Sequence, residues 1–362
     1  MFLDVVGQER AVETLRRAAE RPSHAYLLVG PRGSGVEDAA REFAALLIGV
    51  GGDERSLRLV QRGVHPDVVE FAPGGASYRV KEDVRETILP EAARAPIEAD
   101  RRVLILFEAE RLRGNQNESA NAMLKTIEEP PPRTIVMLVT AAADDLLPTI
   151  RSRCQRIDFD PVADDTLRVA LEREGVSAEI ARTAAALSGG QLARARALAG
   201  PLAPLRSAFV EAASRVDGTG ARAFAVAEIL GASVDHAADA VTSAHAEEVS
   251  ELDAELERLG YDERTAYSLR KRMTERQKRE SRRTRIDLLL EGVTALESVY
   301  RDVLSDPAPP LNGDRPRLVV SPRAAASALD TCRQAREAFL INEKGLVRLT
   351  HLLLSLPSAR PA

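Results

Sequence analysis

Residues 26–37 read Tyr-Leu-Leu-Val-Gly-Pro-Arg-Gly-Ser-Gly-Val-Glu. A mostly apolar run delivers the chain to Gly30, Gly33 and Gly35, the pattern of a buried strand entering a phosphate-binding loop. A working loop of the form G-x-x-x-x-G-K-[ST] needs Lys after the last Gly to reach the β- and γ-phosphates. It also needs a hydroxyl next in line for Mg²⁺. Those two positions are Val36 and Glu37. An aliphatic side chain supplies no charge, and a carboxylate repels phosphate where water is scarce. The loop keeps its shape without the parts that act on a nucleotide. Two states stay open for it. It is empty or weakly occupied, or it holds nucleotide without hydrolysis through the backbone N–H groups of residues 30–36 and the helix dipole.

Working outward, Ala11, Leu15 and Ala18 predict a helix over 8–21, and Ala39, Phe43, Ala44 and Leu47 predict another over 36–48, stopped by Gly49-Val50-Gly51-Gly52. His65-Pro66-Asp67 leads into a short strand at 68–71, and Lys81 opens a further helix. The runs at 103–107 and 134–140 read as fully buried parallel strands, with a helix at 117–129 between them closed by Pro130-Pro131-Pro132. Strands alternating with helices predict a parallel α/β sheet covered on both faces. Beyond about residue 160 the signals are helical. Apolar faces run through Ile286, Leu289, Leu290, Val293, Leu296 and Tyr300, and through Leu346, Leu349, Leu352, Leu353 and Leu356, on either side of a Pro-rich loop at 305–321 that holds Gly313.

The 362 residues suffice for two or three domains. Aromatic residues make up 4% and Trp is absent, which argues against a base-stacking surface. A net charge of −5 argues against a generally basic, nucleic-acid-coating surface. Cys154 and Cys332 are too few and too far apart for a disulfide framework or a four-Cys zinc site. With no signal peptide and no apolar run near the ~20 residues that span a bilayer, the expectation is a cytoplasmic protein with no membrane partner.

Three further stretches define a resemblance. The strand 103–107 followed by Glu108-Ala109-Glu110 resembles a Walker B strand in which Phe107 replaces the Mg²⁺-binding Asp and Glu108 remains. Residues 121–131, Asn-Ala-Met-Leu-Lys-Thr-Ile-Glu-Glu-Pro-Pro, resemble the N-A-L-L-K…E-E-P-P helix of bacterial clamp loaders. Ser152-Arg153-Cys154 is similar to their S-R-C motif. Together these resemble the delta-prime family of DNA polymerase III clamp-loader subunits, within the AAA+ class. The resemblance is dense over residues 5–160, moderate over 161–200 and only architectural beyond. It implies a RecA-like α/β AAA+ domain at 1–160, a small helical lid at 161–202 and an all-α collar at 203–362.

It also implies roles. Arg153 would be an arginine finger offered in trans to a neighbour's ATP, with Ser152 and Cys154 positioning it. The nucleotide positions, degenerate here, would be Gly30, Gly33, Gly35, Val36, Glu37, Glu108, Thr140 and Arg194, the last as second sensor. The chain would have no turnover of its own and would need no cofactor, the ATP being hydrolysed by the neighbouring subunit. Its implied partners are the gamma/tau and delta subunits and, through the complex, the sliding clamp and primed DNA. Relatives with a four-Cys zinc module carry it where residues 49–64 hold no Cys, so no metal is expected. The competing functions are an ATP-hydrolysing gamma/tau-like subunit, which Val36 and Glu37 oppose, and a purely structural adaptor in which Ser-Arg-Cys is a relic.

Two features carry bland alternatives. Leu187-Ser188-Gly189-Gly190-Gln191 matches the signature of ABC-transporter ATPases, but the only Walker-B-like strand lies upstream of it, so it reads as a turn between lid helices. The run from Arg270 to Arg285 holds nine Lys/Arg and two Glu, with Arg272, Arg276, Arg279 and Arg283 on one helix face. That face is solvated, paired with the acidic stretch Glu247–Glu257, or a contact for a partner or DNA phosphates.

Overall fold

We describe a computed structural model of the chain. It covers all residues except 1–4, 32, 50–52, 75–76, 114–116, 260–262, 306–309, 314, 316, 342–344, 359 and 362. Parts of the stretch 49–52, of the loop 305–321 and of the glycine loop therefore lie outside the described residues, as do the side chains of Arg279 and Arg283.

The N-terminal part is a five-stranded sheet, β1 (Ala25–Val29), β2 (Val68–Phe71), β3 (Arg102–Leu106), β4 (Thr134–Thr140) and β5 (Gln155–Asp158), in the order β2-β3-β4-β1-β5. Every pairing is parallel. A parallel sheet must be covered on both faces, and β1 shows how the sequence meets that demand. Tyr26 and Leu28 pack with Leu15 of α1 (Glu9–Glu20) and with Val36 and Phe43 of α2 (Val36–Leu47). Ala25 and Leu27 face the opposite cluster, which holds Ile88, Met123 and Ile127. The Tyr26 and Phe43 rings meet edge to face, centroids 4.8 Å apart.

Three elements differ from the sequence reading. A short helix, α3 (Glu54–Gln61), lies within residues 49–64, where the sequence suggests no element; Asp53 caps it by accepting from the N–H groups of Arg55 and Ser56. The helix expected from Lys81 begins as a π-helix, Val80–Ile88, and continues as α4 (Leu89–Ala92). The edge strand β5 carries one buried side chain, Ile157, between charged neighbours. Arg156 and Asp158 form an ion pair along it, which discourages pairing with another strand.

α5 (Glu118–Glu128) and α6 (Pro148–Arg151) complete the sheet's surroundings. The helices that follow are α7 (Asp164–Arg173), α8 (Ala178–Ser188), α9 (Leu192–Ala199), α10 (Ala203–Arg215), α11 (Gly220–Leu259), α12 (Glu263–Leu304), α13 (Pro322–Ile341) and α14 (Gly345–Ser355). Chain contacts group residues 1–175, 188–195 and 260–273 into one compact unit, and 176–187, 196–259 and 274–362 into a second. The second unit's core draws on Phe209, Leu230, Val293, Leu296, Tyr300, Cys332, Phe339 and Leu353. The face predicted from Leu346 onward is buried at Leu349, Leu352, Leu353 and Leu356, whereas Leu346 itself is exposed. Asp302 of α12 pins the described part of the Pro-rich loop by accepting from the N–H groups of Leu311 and Asn312.

The basic run is tied within the chain at several points. In the first unit Arg272 donates to the His65 carbonyl and lies 3.7 Å from a Glu91 carboxylate oxygen. In the second, Arg276 pairs with Glu248 of the acidic stretch, and Arg285 with Asp235.

At the amino-terminal edge of the sheet lies a buried polar cluster. The Asp67 carboxylate accepts from the N–H groups of Ile97, Glu98 and Ala99 at 2.7–2.9 Å. Arg102, fully buried, donates to the carbonyls of Glu91 and Pro66, pairs with the Glu91 carboxylate and lies 3.5 Å from Asp67. His65 Nδ1 accepts from the Asp67 N–H. Its Nε2 lies 3.3 Å from a Glu98 oxygen without the alignment of a hydrogen bond. Burial drives its pKa down to about 4, with the Asp67 charge opposing the shift. A His lowered in this way binds fewer protons folded than unfolded between pH 6.5 and 4, so its contribution is complete above that window and is lost as pH falls through it. We expect about 2 kcal/mol to be lost by pH 5, roughly 4–8 °C in Tm. His65→Asn, whose amide oxygen can replace Nδ1 as acceptor, should flatten this dependence. Thermal melts between pH 7.5 and 5 test it; identical slopes would assign the acid loss to other groups.

Candidate functional site

The carboxyl ends of β1, β3 and β4 converge where the strand order reverses beside β1, the place where open parallel sheets bind ligands. The glycine loop leaves β1 there. Gly30 N–H donates to the Thr140 carbonyl, and Phe159 N–H donates to the Val29 carbonyl. Gly33 and Gly35 have φ of +78° and +89°, the left-handed region that a β-carbon disfavours. Gly30 is closed in by Phe159: a β-carbon there would stand 2.7 Å from that residue's side chain. The glycines are thus required by the loop's geometry whatever it binds.

The loop's polar surroundings are linked to one another. Gly33 N–H points at the Glu37 carboxylate, 3.2 and 3.4 Å from its two oxygens. Val36 is buried among apolar side chains. Gln8, just before α1, donates to the carbonyls of Ser34 and Asp160, and its own carbonyl oxygen accepts from Asp160 N–H. Gln191 packs over Gly33. Thr140, ending β4, donates to Glu110 at 2.6 Å. Glu108 sits at φ +52° just past β3, its carboxylate 2.9 Å from Arg111 Nε. Phe107, at the position of the missing Asp, lies under the Arg41 guanidinium, which Glu70 holds in two hydrogen bonds.

Arg153 lies at the other end of the sheet. Strand β5 runs parallel to β1 with Gln155 opposite Tyr26 and Asp158 opposite Val29. Arg153 precedes β5, whereas the loop follows β1, so a strand length of roughly 15 Å separates them along the sheet. The guanidinium donates to the Thr149 carbonyl and meets Glu128 at 2.5 Å, the two side chains being 38% and 40% exposed. Ser152 Oγ donates to the same Thr149 carbonyl. Burial of Cys154 pushes its thiol up to about 12, so it is no thiolate nucleophile near neutrality.

The structure therefore brings Glu128 of the Glu-Glu-Pro-Pro stretch to Arg153, and Thr140, Glu108 and Gly30 to one edge of the sheet. Arg194 is half-buried on α9, and the residue of that turn that reaches the loop is Gln191. Gln8 carries no local signature, and Glu110, Glu128 and Gln191 lie in quoted motifs that do not tell their partners. Only the alignment of strand ends, which pairing decides, puts them here.

Comparisons with known proteins agree with the site's motifs. Residues 7–163 match the family described as DNA polymerase III, delta subunit. The chain is 32% identical to the DNA polymerase III subunit delta' of Bacillus subtilis, over 48% of this chain and 54% of that protein. It is 30% identical to the delta' subunit of Pseudomonas aeruginosa, over 54% of this chain and 62% of that protein. A gamma/tau subunit of Mycobacterium bovis is 35% identical over 48% of this chain and 32% of its own length. Among solved structures, a gamma subunit-related protein of Thermotoga maritima is similar at 19% identity and a TM-score of 0.46, covering 95% of this chain and 97% of that one. Over residues 7–163 the chain is similar to the DNA polymerase III delta family and is delta-prime-like, as its motifs imply; it spans between half and two thirds of the length of the delta' relatives it matches.

The Leu-Ser-Gly-Gly-Gln stretch forms the turn between α8 and α9. Gly189 and Gly190 have φ of +64° and +80°, and Gly190 C=O accepts from Val162 N–H. A β-carbon at Gly190 would stand 2.7 Å from Pro161. Gly190→Ala should therefore cost about 1–3 kcal/mol through clash and backbone strain, read as a lower urea midpoint. An unchanged midpoint would mean the turn yields without cost.

Proposed function

We propose that the chain is a clamp-loader subunit of DNA polymerase III that hydrolyses no ATP itself and offers Arg153 to the ATP of a neighbouring gamma/tau subunit. The observation that carries this is the opposite placement of loop and arginine on one rigid sheet. Arg153 is out of reach of its own glycine loop and stands on the exposed amino-terminal edge. A guanidinium is permanently charged, planar and bidentate, suited to charge developing on a transferring phosphoryl group. Its tie to Glu128 is an exposed ion pair, worth about 0–1 kcal/mol, so exchanging that carboxylate for phosphate costs little.

On the nucleotide side, Val36, Glu37 and Phe107 replace the lysine, hydroxyl and aspartate that hydrolysis needs, which supports a passive loop. Residues 161–202 would then serve as a lid and 203–362 as a collar joining the ring. The other partners are delta and, through the complex, the sliding clamp and primed DNA.

The test is the DNA- and clamp-stimulated ATPase of the reconstituted loader, with wild type compared to Arg153→Ala at matched assembly. A finger contributes ~10³–10⁵ in rate at the site it serves. We expect the contribution of the site facing this subunit to fall at least ten-fold, with other sites unaffected. Equal rates would leave the chain a scaffold, and turnover by the isolated chain would overturn its passive assignment.

A further inference from the structure

We propose that Glu128 is the positioning residue of Arg153: the last residue of α5 holds the guanidinium from one side, so that its open edge is presented, already oriented, to a phosphate oxygen of a neighbouring subunit's nucleotide. The inference rests on the reading of Arg153 as a finger and adds what aims it.

The backbone under both residues is fixed by one apolar cluster. Ile127, next to Glu128, and Ile150, one turn before Arg153, are fully buried in it together with Met123. Leu124 packs against the same cluster, and so does Cys154 on the far side of Arg153. Pro148 opens α6, and Arg153 N–H closes the turn by donating to the Ile150 carbonyl at 3.1 Å. The roots of the two side chains are therefore set, and only the side chains themselves are left to order.

Glu128 sits where a helix disfavours it. A carboxylate on the last residue of α5 adds to the unpaired carbonyls and to the negative end of the helix dipole. Arg153 supplies the cation that offsets this. Its Nε stands 2.5 Å from Glu128 Oε1, and its Nη1 donates to the Thr149 carbonyl at 2.9 Å and to Ser152 Oγ at 3.4 Å. Nη2 makes no hydrogen bond among the described residues. With Nε and Nη1 engaged by the chain, the N–H groups of Nη2 are the ones left for a phosphate oxygen, which they can meet while Glu128 keeps its place. The pair contributes little free energy of its own because both groups are partly exposed. Its service is geometric: a long side chain that is already oriented loses less freedom when it engages the reacting phosphate.

Two measurements test this. In the isolated full chain, nitrogen relaxation of the Arg153 Nε–H should give an order parameter well above the ~0.6 of a flexible group in wild type and below it in Glu128→Ala. In the reconstituted loader, Glu128→Ala should lower the Arg153-dependent part of the clamp- and DNA-stimulated kcat about five-fold or more, with KM for ATP unchanged. Glu128→Gln, which keeps the oxygen and the reach, should retain at least about half of that part, and Glu128→Ala should add nothing in the Arg153→Ala background. A mobile Nε–H in wild type would overturn the proposal whatever the rates. So would a wild-type kcat in Glu128→Ala, a Glu128→Gln variant as slow as Glu128→Ala, or an equal loss with and without Arg153. These failures leave Arg153 as the finger so long as Arg153→Ala is itself slow; an unchanged rate in Arg153→Ala would end that reading and this one together.

Discussion

Parallel pairing of β1 with both β4 and β5 is the constraint on which the functional geometry depends. It buries β1 on both sides, so its residues are apolar on each face, and it fixes the polarity of everything attached to the strand ends. The glycine loop must emerge at the carboxyl edge and the Ser-Arg-Cys turn at the amino edge. No side-chain rearrangement brings them together. A chain built on this sheet carries the glycine loop at one end and Arg153 at the other.

At the loop's end of the sheet, several polar side chains are tied to one another. Phe107 supports the Arg41 guanidinium where an aspartate would have held a metal ion, Glu108 turns to Arg111, and Thr140 turns to Glu110. The basic run on α12 is met in the same way by Glu91, Glu248 and Asp235, which lowers the positive field that a count of Lys and Arg suggests.

Much of the sheet was legible beforehand because it is built from continuous apolar runs. The runs at 134–140 and 103–107, observed as Thr134–Thr140 and Arg102–Leu106, have no polar face to disguise them, and Pro130 to Pro132 mark where α5 must end. β5 is not legible in the sequence because an edge strand buries little: only Ile157 of it is covered, and its charged neighbours read as loop. The π-helical start at Val80 follows from no local propensity. The site was legible where residue types are diagnostic, as with the three glycines and Ser-Arg-Cys. Glu128, Gln8 and Gln191 reach their places through strand pairing and helix packing, which one sequence does not display.

The pairing of Asp67 with Arg102 has a further consequence. Both side chains are sealed from solvent, and Asp67 also anchors three successive amides of the turn before β3. Removals of the two partners are not equivalent: without Asp67 the buried guanidinium still has the Glu91 carboxylate, whereas the turn loses the acceptor of three amides. The carboxylate's larger service is therefore to the backbone, and an asparagine in its place, with a single acceptor oxygen, would keep only part of it.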